Sequence, residues 1–251
     1  MKDRNVIHDL LTLVNSATRE TNEIVIARAL LENRADLAHL SMDVLSKKYY
    51  VSQASITRFI KKIGFEDFRS FKEAMINSQE FLRNRYESPS YIDTSQVIST
   101  INDEFVRVLQ EMKTIPPEMY DSLAELISSY DRVWFFGTEM SMSMLRLFQL
   151  KAESIGRNCY MLHQYSNQIE TLTRLTEKDL AIAVITNERW IHSFPVNAFS
   201  ESKAHTVLLT LEDLDVNTSD FDDVFEYGHI MRSDLAYYQL AFFAQVLTRM
   251  L

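Results

Sequence analysis

Five cations and no anion lie between Leu45 and Phe65: Lys47, Lys48, Arg58, Lys61 and Lys62. Among them stand Ser52, Gln53, Ser55 and Thr57, short side chains that donate and accept hydrogen bonds. Amides and hydroxyls of this kind read base edges in a major groove, and nearby ammonium groups neutralise phosphates. The chemistry implied is recognition of duplex DNA.

Holding such groups on one face takes two short helices joined by a tight turn. Ser41 and Ser52 are placed to cap the two helix starts, each hydroxyl serving free backbone N–H groups. Leu45, Val51, Ile56, Phe59 and Ile60 fall where such a pair buries its apolar side. Gly64 ends the second helix. This spacing sets Gln53, Ser55 and Thr57 nearest base edges and Arg58 at a base or a phosphate. Lys47, Lys48, Lys61 and Lys62 fall to phosphates. The rival reading is a basic, solvated helix pair.

The formal net charge is −9, and residues 45–65 contribute +5, so the remainder sums to −14. An acidic body with one basic patch attracts a polyanion at that patch alone. With 46% hydrophobic and 24% charged residues, the 251-residue chain is an ordinary globular protein with room for two cores. Its one cysteine, Cys159, excludes an internal disulfide framework and fits a core position better than a nucleophile's. The N-terminus lacks a secretory signal and no apolar run reaches the length of a membrane span, so a cytoplasmic protein is expected. His163 and His192 have no partners at metal-ligating spacing, and neither metal nor cofactor is expected.

Residues 1–85 read as helical throughout, with stripes at Ile24, Ala27, Leu30 and Leu31 and at Phe65, Phe68, Phe71, Met75 and Ile76. Residues 86–96 are polar and contain Pro89, the composition of a linker. Two helices are expected near 95–112 and 117–129, with Pro117 in a first helical position. Beyond Arg132 come short apolar runs at Val133–Phe136, Cys159–Leu162, Leu180–Ile185, Thr206–Leu209 and Val224–Tyr227. Runs apolar at every position suit parallel strands buried on both faces, with helical crossovers between them. The last helix, Ser233–Leu251, is apolar nearly all round, which suggests a homodimer interface.

Val51-Ser-Gln-Ala-Ser-Ile-Thr-Arg-Phe59, Lys62-Ile-Gly-Phe65 and Phe68-Arg-Ser-Phe-Lys72 resemble the RpiR family of bacterial transcriptional regulators. The second half, with Val133-Trp-Phe-Phe-Gly137 before Ser141, Leu175–Ala183 and Arg232–Leu240, is similar to that family's sugar isomerase (SIS) domain. The resemblance implies an all-α N-terminal helix-turn-helix domain (1–85), a linker (86–96), and an α/β SIS effector and dimerisation domain (97–251). The latter has a five-stranded parallel sheet flanked by helices. It implies a homodimeric or homotetrameric regulator of sugar or amino-sugar metabolism, bound to a DNA operator and answering to a sugar or sugar phosphate. No enzymatic activity follows from it; the rival is a sugar-phosphate isomerase with an added helical domain, for which Glu139 or His163 could act as base.

By the same resemblance the effector would meet Thr138, Glu139, Ser141, Asn187 and Glu188. The first loop, Gly137-Thr-Glu-Met-Ser141, has Glu139 where the family's pattern has a second glycine. The second loop, usually serine-x-serine-glycine and then threonine, holds Ile185, Asn187, Glu188 and Trp190. A carboxylate ~4 Å from a phosphate opposes it by about 4 kcal/mol at an effective dielectric of ~20, which outweighs several hydrogen bonds of about 1 kcal/mol. The sheet domain therefore reads as a degenerate phosphosugar sensor, a scaffold for dimers, or a sensor of something not anionic. Thr138, Ser141 and Asn187 could equally be helix caps, and Glu139, Glu188 and Arg189 could pair among themselves. Tyr50 occupies the turn position where the family has glycine; a left-handed backbone there costs about 1 kcal/mol.

Overall fold

The computed structural model describes residues 5–37, 39–86, 93–162, 165–186, 196–211, 214–229 and 235–251. The chain divides into two compact units, Met1–Tyr91 and Ile92–Leu251.

The first unit is helical: α1 (Val6–Asn15), α2 (Asn22–Glu32), α3 (Met42–Tyr49), α4 (Gln53–Lys62) and α5 (Phe68–Tyr86). Side-chain caps start four of them. Asn5 accepts from the His8 N–H, Thr21 from Ile24, Ser41 from Val44 and Ser52 from Ser55. Each such cap stabilises its helix by about 1 kcal/mol. One core gathers their apolar faces, including Ile26, Leu30, Leu45, Val51, Ile56, Phe59, Ile60, Phe71 and Met75. Burial of each large side chain contributes roughly 1.5–3 kcal/mol. The buried Ser78 hydroxyl accepts from Val6 N (3.0 Å) and donates to Ala74 O (2.8 Å), tying α1 to α5. Ile76, expected in the α5 stripe, is exposed, because it lies one residue past the buried Met75 on the outward turn.

The second unit begins with α6 (Thr94–Met112) and α7 (Pro117–Ser129), then alternates strands and helices. These are β1 (Arg132–Gly137), α8 (Glu139–Met144), α9 (Arg146–Ser154), β2 (Asn158–Met161), α10 (Tyr165–Leu172), β3 (Asp179–Val184), β4 (His205–Thr210), β5 (Asp223–Glu226) and α11 (Leu235–Met250). Pro117 is the first residue of α7, where its missing N–H costs nothing. Helix α6 starts at Thr94, capped by Asp93, inside the stretch whose composition resembles a linker; residues 87–92 lie outside the described set.

All strand pairs are parallel, in the order β2-β1-β3-β4-β5. Each expected apolar run is a strand, and burial follows position in the sheet. All six residues of central β3 are buried, while edge strands β2 and β5 alternate. The chain leaves β1 for β2 on one side and returns to β3 on the other. That reversal makes the carboxyl ends of β1 and β3 a topological switch point, where open α/β sheets hold ligands. Helix α11 turns Leu235, Ala236, Leu240, Phe243, Ala244 and Leu247 into its own unit. Its nearly all-round apolarity is largely consumed there, since α6, α7, α8 and α9 all pack on it. Among the described residues, no helix is long and apolar enough to cross a membrane.

Candidate nucleic-acid interface and effector site

Helices α3 and α4 form the expected helical pair. Tyr50 makes the turn in the left-handed region (φ 56°, ψ 37°) with its side chain 94% exposed, so the strain is local and the ring packs on little. At the start of α4, the Ser52 and Ser55 hydroxyl oxygens lie 2.9 Å apart, and Arg58 Nη2 donates to Ser55 Oγ at 3.2 Å. The helix ends in a double backbone lock: Gly64 N–H reaches Lys61 O (3.0 Å) and Phe65 N–H reaches Ile60 O (3.1 Å). Gly64 adopts φ 91°, a conformation glycine takes without steric cost.

The outward face of α4 is Gln53, Ala54, Arg58 and Lys61. Ser55 is half-buried. Thr57, expected near base edges, is also half-buried, and its hydroxyl donates back to Gln53 O at 3.0 Å. Ala54 was not singled out by residue type, since a methyl group advertises no chemistry. Only its place one turn before Arg58 identifies it.

The cations are less free than their local count implies. Lys47 pairs with Asp43 at 2.8 Å and Lys62 with Glu23 at 2.8 Å, so two acids from outside 45–65 close on two of the five. Lys48 donates to Asn33 Oδ1 (3.1 Å) and lies 5.1 Å from the Tyr49 ring centre. Exposed pairs of this sort contribute about 0–1 kcal/mol, so a phosphate can replace the carboxylate at small cost.

At the other candidate site, Thr138 follows the last residue of β1 and caps α8, its Oγ1 accepting from Ser141 N at 3.2 Å. The buried Ser141 hydroxyl lies 2.9 Å from Thr138 Oγ1 and 3.2 Å from Thr186 Oγ1. Gly137 and Val184 are register partners, so Thr138 leaves β1 level with Ile185, one residue before Thr186 on the adjacent strand. A Cβ at Gly137 would sit 2.9 Å from Val184 O and 3.0 Å from Met142 Cε, which reserves this position for glycine by packing. Buried Gln168 closes the site from α10. Its Nε2 donates to Gly137 O (2.7 Å) and Leu162 O (2.6 Å), and its Oε1 accepts from Gly137 N (3.2 Å).

The trio at this switch point is uncharged. Glu139, the first residue of α8, is half-buried, while Asn187, Glu188, Arg189, His163 and His192 lie outside the described residues. Thr186 and Gln168 escaped sequence reasoning. Thr186 stands between Ile185 and Asn187, the positions the loop comparison picked, and Gln168 sits in a polar helix with no distinguishing neighbour. Further along this edge, the Tyr227 hydroxyl donates to Ile185 O at 3.2 Å, and burial raises its pKa well above 10. Glu111 Oε1 accepts from His229 N at 2.6 Å, and Gln239 Nε2 donates to His229 O at 3.2 Å, joining α6 and α11 to the segment after β5.

The amino ends of the strands carry a charged cluster. Buried Asp179 accepts from Arg132 Nε (2.6 Å) and Nη2 (2.8 Å), Trp134 Nε1 (2.9 Å), and Thr176 N and Oγ1 (2.9 and 2.8 Å). Burial pushes its pKa up, but these donors outweigh burial and hold the carboxyl below its ordinary value. A cavity of about 530 Å³ nearby is lined by Tyr130, Phe199, Lys203, His205 and Asp222 among others. Asp222 there accepts from Thr206 N and Oγ1, and His205 meets Asp223 at 2.7 Å, so these groups clamp strand starts. Burial also raises the Cys159 thiol to about 12, as befits a core residue.

Residues 9–80 match the family described as "Helix-turn-helix domain, rpiR family". An HTH-type transcriptional regulator of Providencia stuartii is 23% identical over 163 residues, 63% of this chain and 58% of that protein. Another, from Clostridium perfringens, is 24% identical over 215 residues, 78% of this chain and 75% of that protein. The chain thus spans less than two thirds of the Providencia relative. Among solved structures it is similar to the Vibrio vulnificus NanR protein complexed with ManNAc-6P, with a TM-score of 0.50 and 16% identity over 98% of this chain and 91% of that one. A putative sugar-phosphate isomerase of Listeria monocytogenes gives a TM-score of 0.50 and 13% identity over 64% of this chain and 91% of that one. At such identities the likeness shows the fold.

Proposed function

We propose that this chain, whose residues 9–80 match the rpiR-family helix-turn-helix domain, is a sequence-specific, DNA-binding transcription regulator whose sheet unit senses a sugar or sugar phosphate. It acts as a homodimer or homotetramer on a two-fold operator. The observation that carries the reading is the outward face of α4, where Gln53, Ala54, Arg58 and Lys61 stand in solvent above a fully buried Ile56–Phe59–Ile60 side. Gln53 offers the bidentate amide that suits adenine, Ala54 a methyl for thymine, and Arg58 either a guanine edge or a phosphate. Ser52 and Ser55 orient Arg58 from the helix start, and Lys47, Lys48, Lys61 and Lys62 face phosphates. Two-fold symmetry sets half-sites one or more helical turns apart.

The effector seat in this reading is the switch point at Thr138, Ser141 and Thr186, with Glu139 beside it; Asn187 and Glu188, expected to join them from the sequence, lie outside the described residues. That hydroxyl-lined edge, together with the phosphosugar named for NanR, supports a sugar or its phosphate as effector. The chain is a regulator in this account and not an isomerase. The test is binding to its own upstream duplex against random duplex at moderate salt, repeated with Arg58→Ala and Lys61→Ala. Arg58→Ala should change sequence preference by about 1–3 kcal/mol, and Lys61→Ala should weaken all sequences alike and lower the salt slope by about 1. Equal affinity for both duplexes sinks the reading, as would rapid aldose–ketose conversion of a sugar phosphate.

A further inference from the structure

The cavity of about 530 Å³ at the amino ends of β4 and β5 has groups in its lining that the strand clamps do not use. Its size falls within the roughly 300–1,000 Å³ of small-molecule sites. It lies at the opposite end of the sheet from Thr138, Ser141 and Thr186, and the six residues of β4 put the two ends about 16 Å apart. Charges of both signs line it and stay separate. Glu177 and Lys203 are exposed there, and neither makes a hydrogen bond or ion pair among the described residues. Lys47 and Lys62, by contrast, each close on a carboxylate at 2.8 Å. Thr206 N and Oγ1 both reach Asp222 Oδ2, at 2.7 and 2.9 Å, and Asp222 Oδ1 accepts nothing among the described residues. Aromatic rings stand among these charges. Tyr130 lies 5.5 Å from His205, and Phe221 4.9 Å from buried Phe199, centre to centre. The Tyr130 hydroxyl has no hydrogen bond among the described residues. Burial, then the charges of Asp222 and Asp223, raises its pKa, so it stays protonated and remains a donor.

We infer that this cavity is a second ligand site, and that it takes a free α-amino acid with an apolar side chain. A lone cation would meet Lys203, and a lone anion would meet Glu177 and Asp222, so each is opposed by a like charge. An amino acid carries an ammonium and a carboxylate on one carbon and satisfies both signs at once. Its carboxylate takes Lys203 and the Tyr130 hydroxyl, its ammonium takes Glu177 and Asp222 Oδ1, and its side chain lies against Phe221. Glu177, Lys203 and Asp222 stand in the segments that lead into β3, β4 and β5, so the ligand ties three strand starts together. The site goes beyond the proposed function, whose sugar effector sits at the switch point, and does not rest on that reading.

The test is calorimetric titration of the full chain with L-leucine and L-phenylalanine, each beside the matched amine and the matched acid. These are isoamylamine and 4-methylpentanoate for leucine, and phenethylamine and 3-phenylpropionate for phenylalanine. At least one amino acid should bind with a Kd below about 1 mM, and its amine and acid at least about tenfold more weakly, the effect of one lost charged hydrogen bond. Lys203→Ala should weaken the amino acid by at least about tenfold with urea unfolding unchanged, because the side chain is exposed. No saturable binding of either amino acid at about 10 mM overturns the site. An amine or acid that binds as tightly as its amino acid overturns the ligand class, and binding that Lys203→Ala leaves intact overturns the location. Should Lys203→Ala fail to fold, Glu177→Gln, also exposed, decides in the same way. The regulator reading is separable. A chain that binds an amino acid and shows no DNA preference refutes that reading alone, and one that prefers its own duplex and binds no amino acid refutes this site alone.

Discussion

The outward face of α4 and the carboxyl edge of the sheet are both polar, yet they spend their polarity differently. On α4, Gln53, Arg58 and Lys61 point into solvent, and the helix is held from behind by Ile56, Phe59 and Ile60. At the sheet edge, the Ser141 hydroxyl meets those of Thr138 and Thr186, and Gln168 bonds to the backbone of Gly137 and Leu162. The first face can lose side chains without unfolding; the second is part of the framework it borders. Recognition and stability are separable in one unit and entangled in the other.

Replacing Gln168 with leucine should test that entanglement hardest. It strands Gly137 N–H and O and Leu162 O, and each buried unsatisfied group costs about 1–3 kcal/mol. We expect the second unit to lose at least about 3 kcal/mol in urea unfolding, while the first unit's transition stays put. A loss under 1 kcal/mol would show that water substitutes for the amide, and the contrast would weaken. Gln53→Ala is the mirror experiment. Operator affinity should fall by about 1–3 kcal/mol, as for a lost bidentate base contact, with the melting temperature unchanged. A drop in stability there would erase the distinction. The smallest effect belongs to Tyr50→Gly. Relief of about 1–2 kcal/mol of left-handed strain, set against about 0.5–1 kcal/mol of added chain freedom, should stabilise the first unit by roughly 0.5 kcal/mol. A destabilised variant would mean that the exposed ring makes contacts of its own.

Much of this was legible in the sequence where the signal is local. Serine caps, the glycine stop at Gly64 and the five apolar runs each depend on a few adjacent residues, and each is present as expected. What depends on long-range contact was not legible. The +5 charge of residues 45–65 is local, but Glu23 reaches Lys62 from 39 positions away. Thr57 has the right type for base reading, but its half-buried hydroxyl already donates to the Gln53 carbonyl one turn back, which its type does not reveal. The all-round apolarity of α11 fits an interface equally well as it fits its several neighbours, and only packing separates the two. Thr186 joins Ser141 across 45 residues through the β1–β3 pairing, which no motif encodes.

The bond between Glu111 and His229 pins one end of a long rod. Nineteen helical residues measure roughly 28 Å, and the pinned carboxylate sits one residue from the far end of α6. Rotation about that fixed point by some 5° sweeps Thr94 through about 2 Å, by the lever arithmetic of a rise of 1.5 Å per residue. Any tilt of α6 about that point is therefore felt most at Thr94, where the second unit begins.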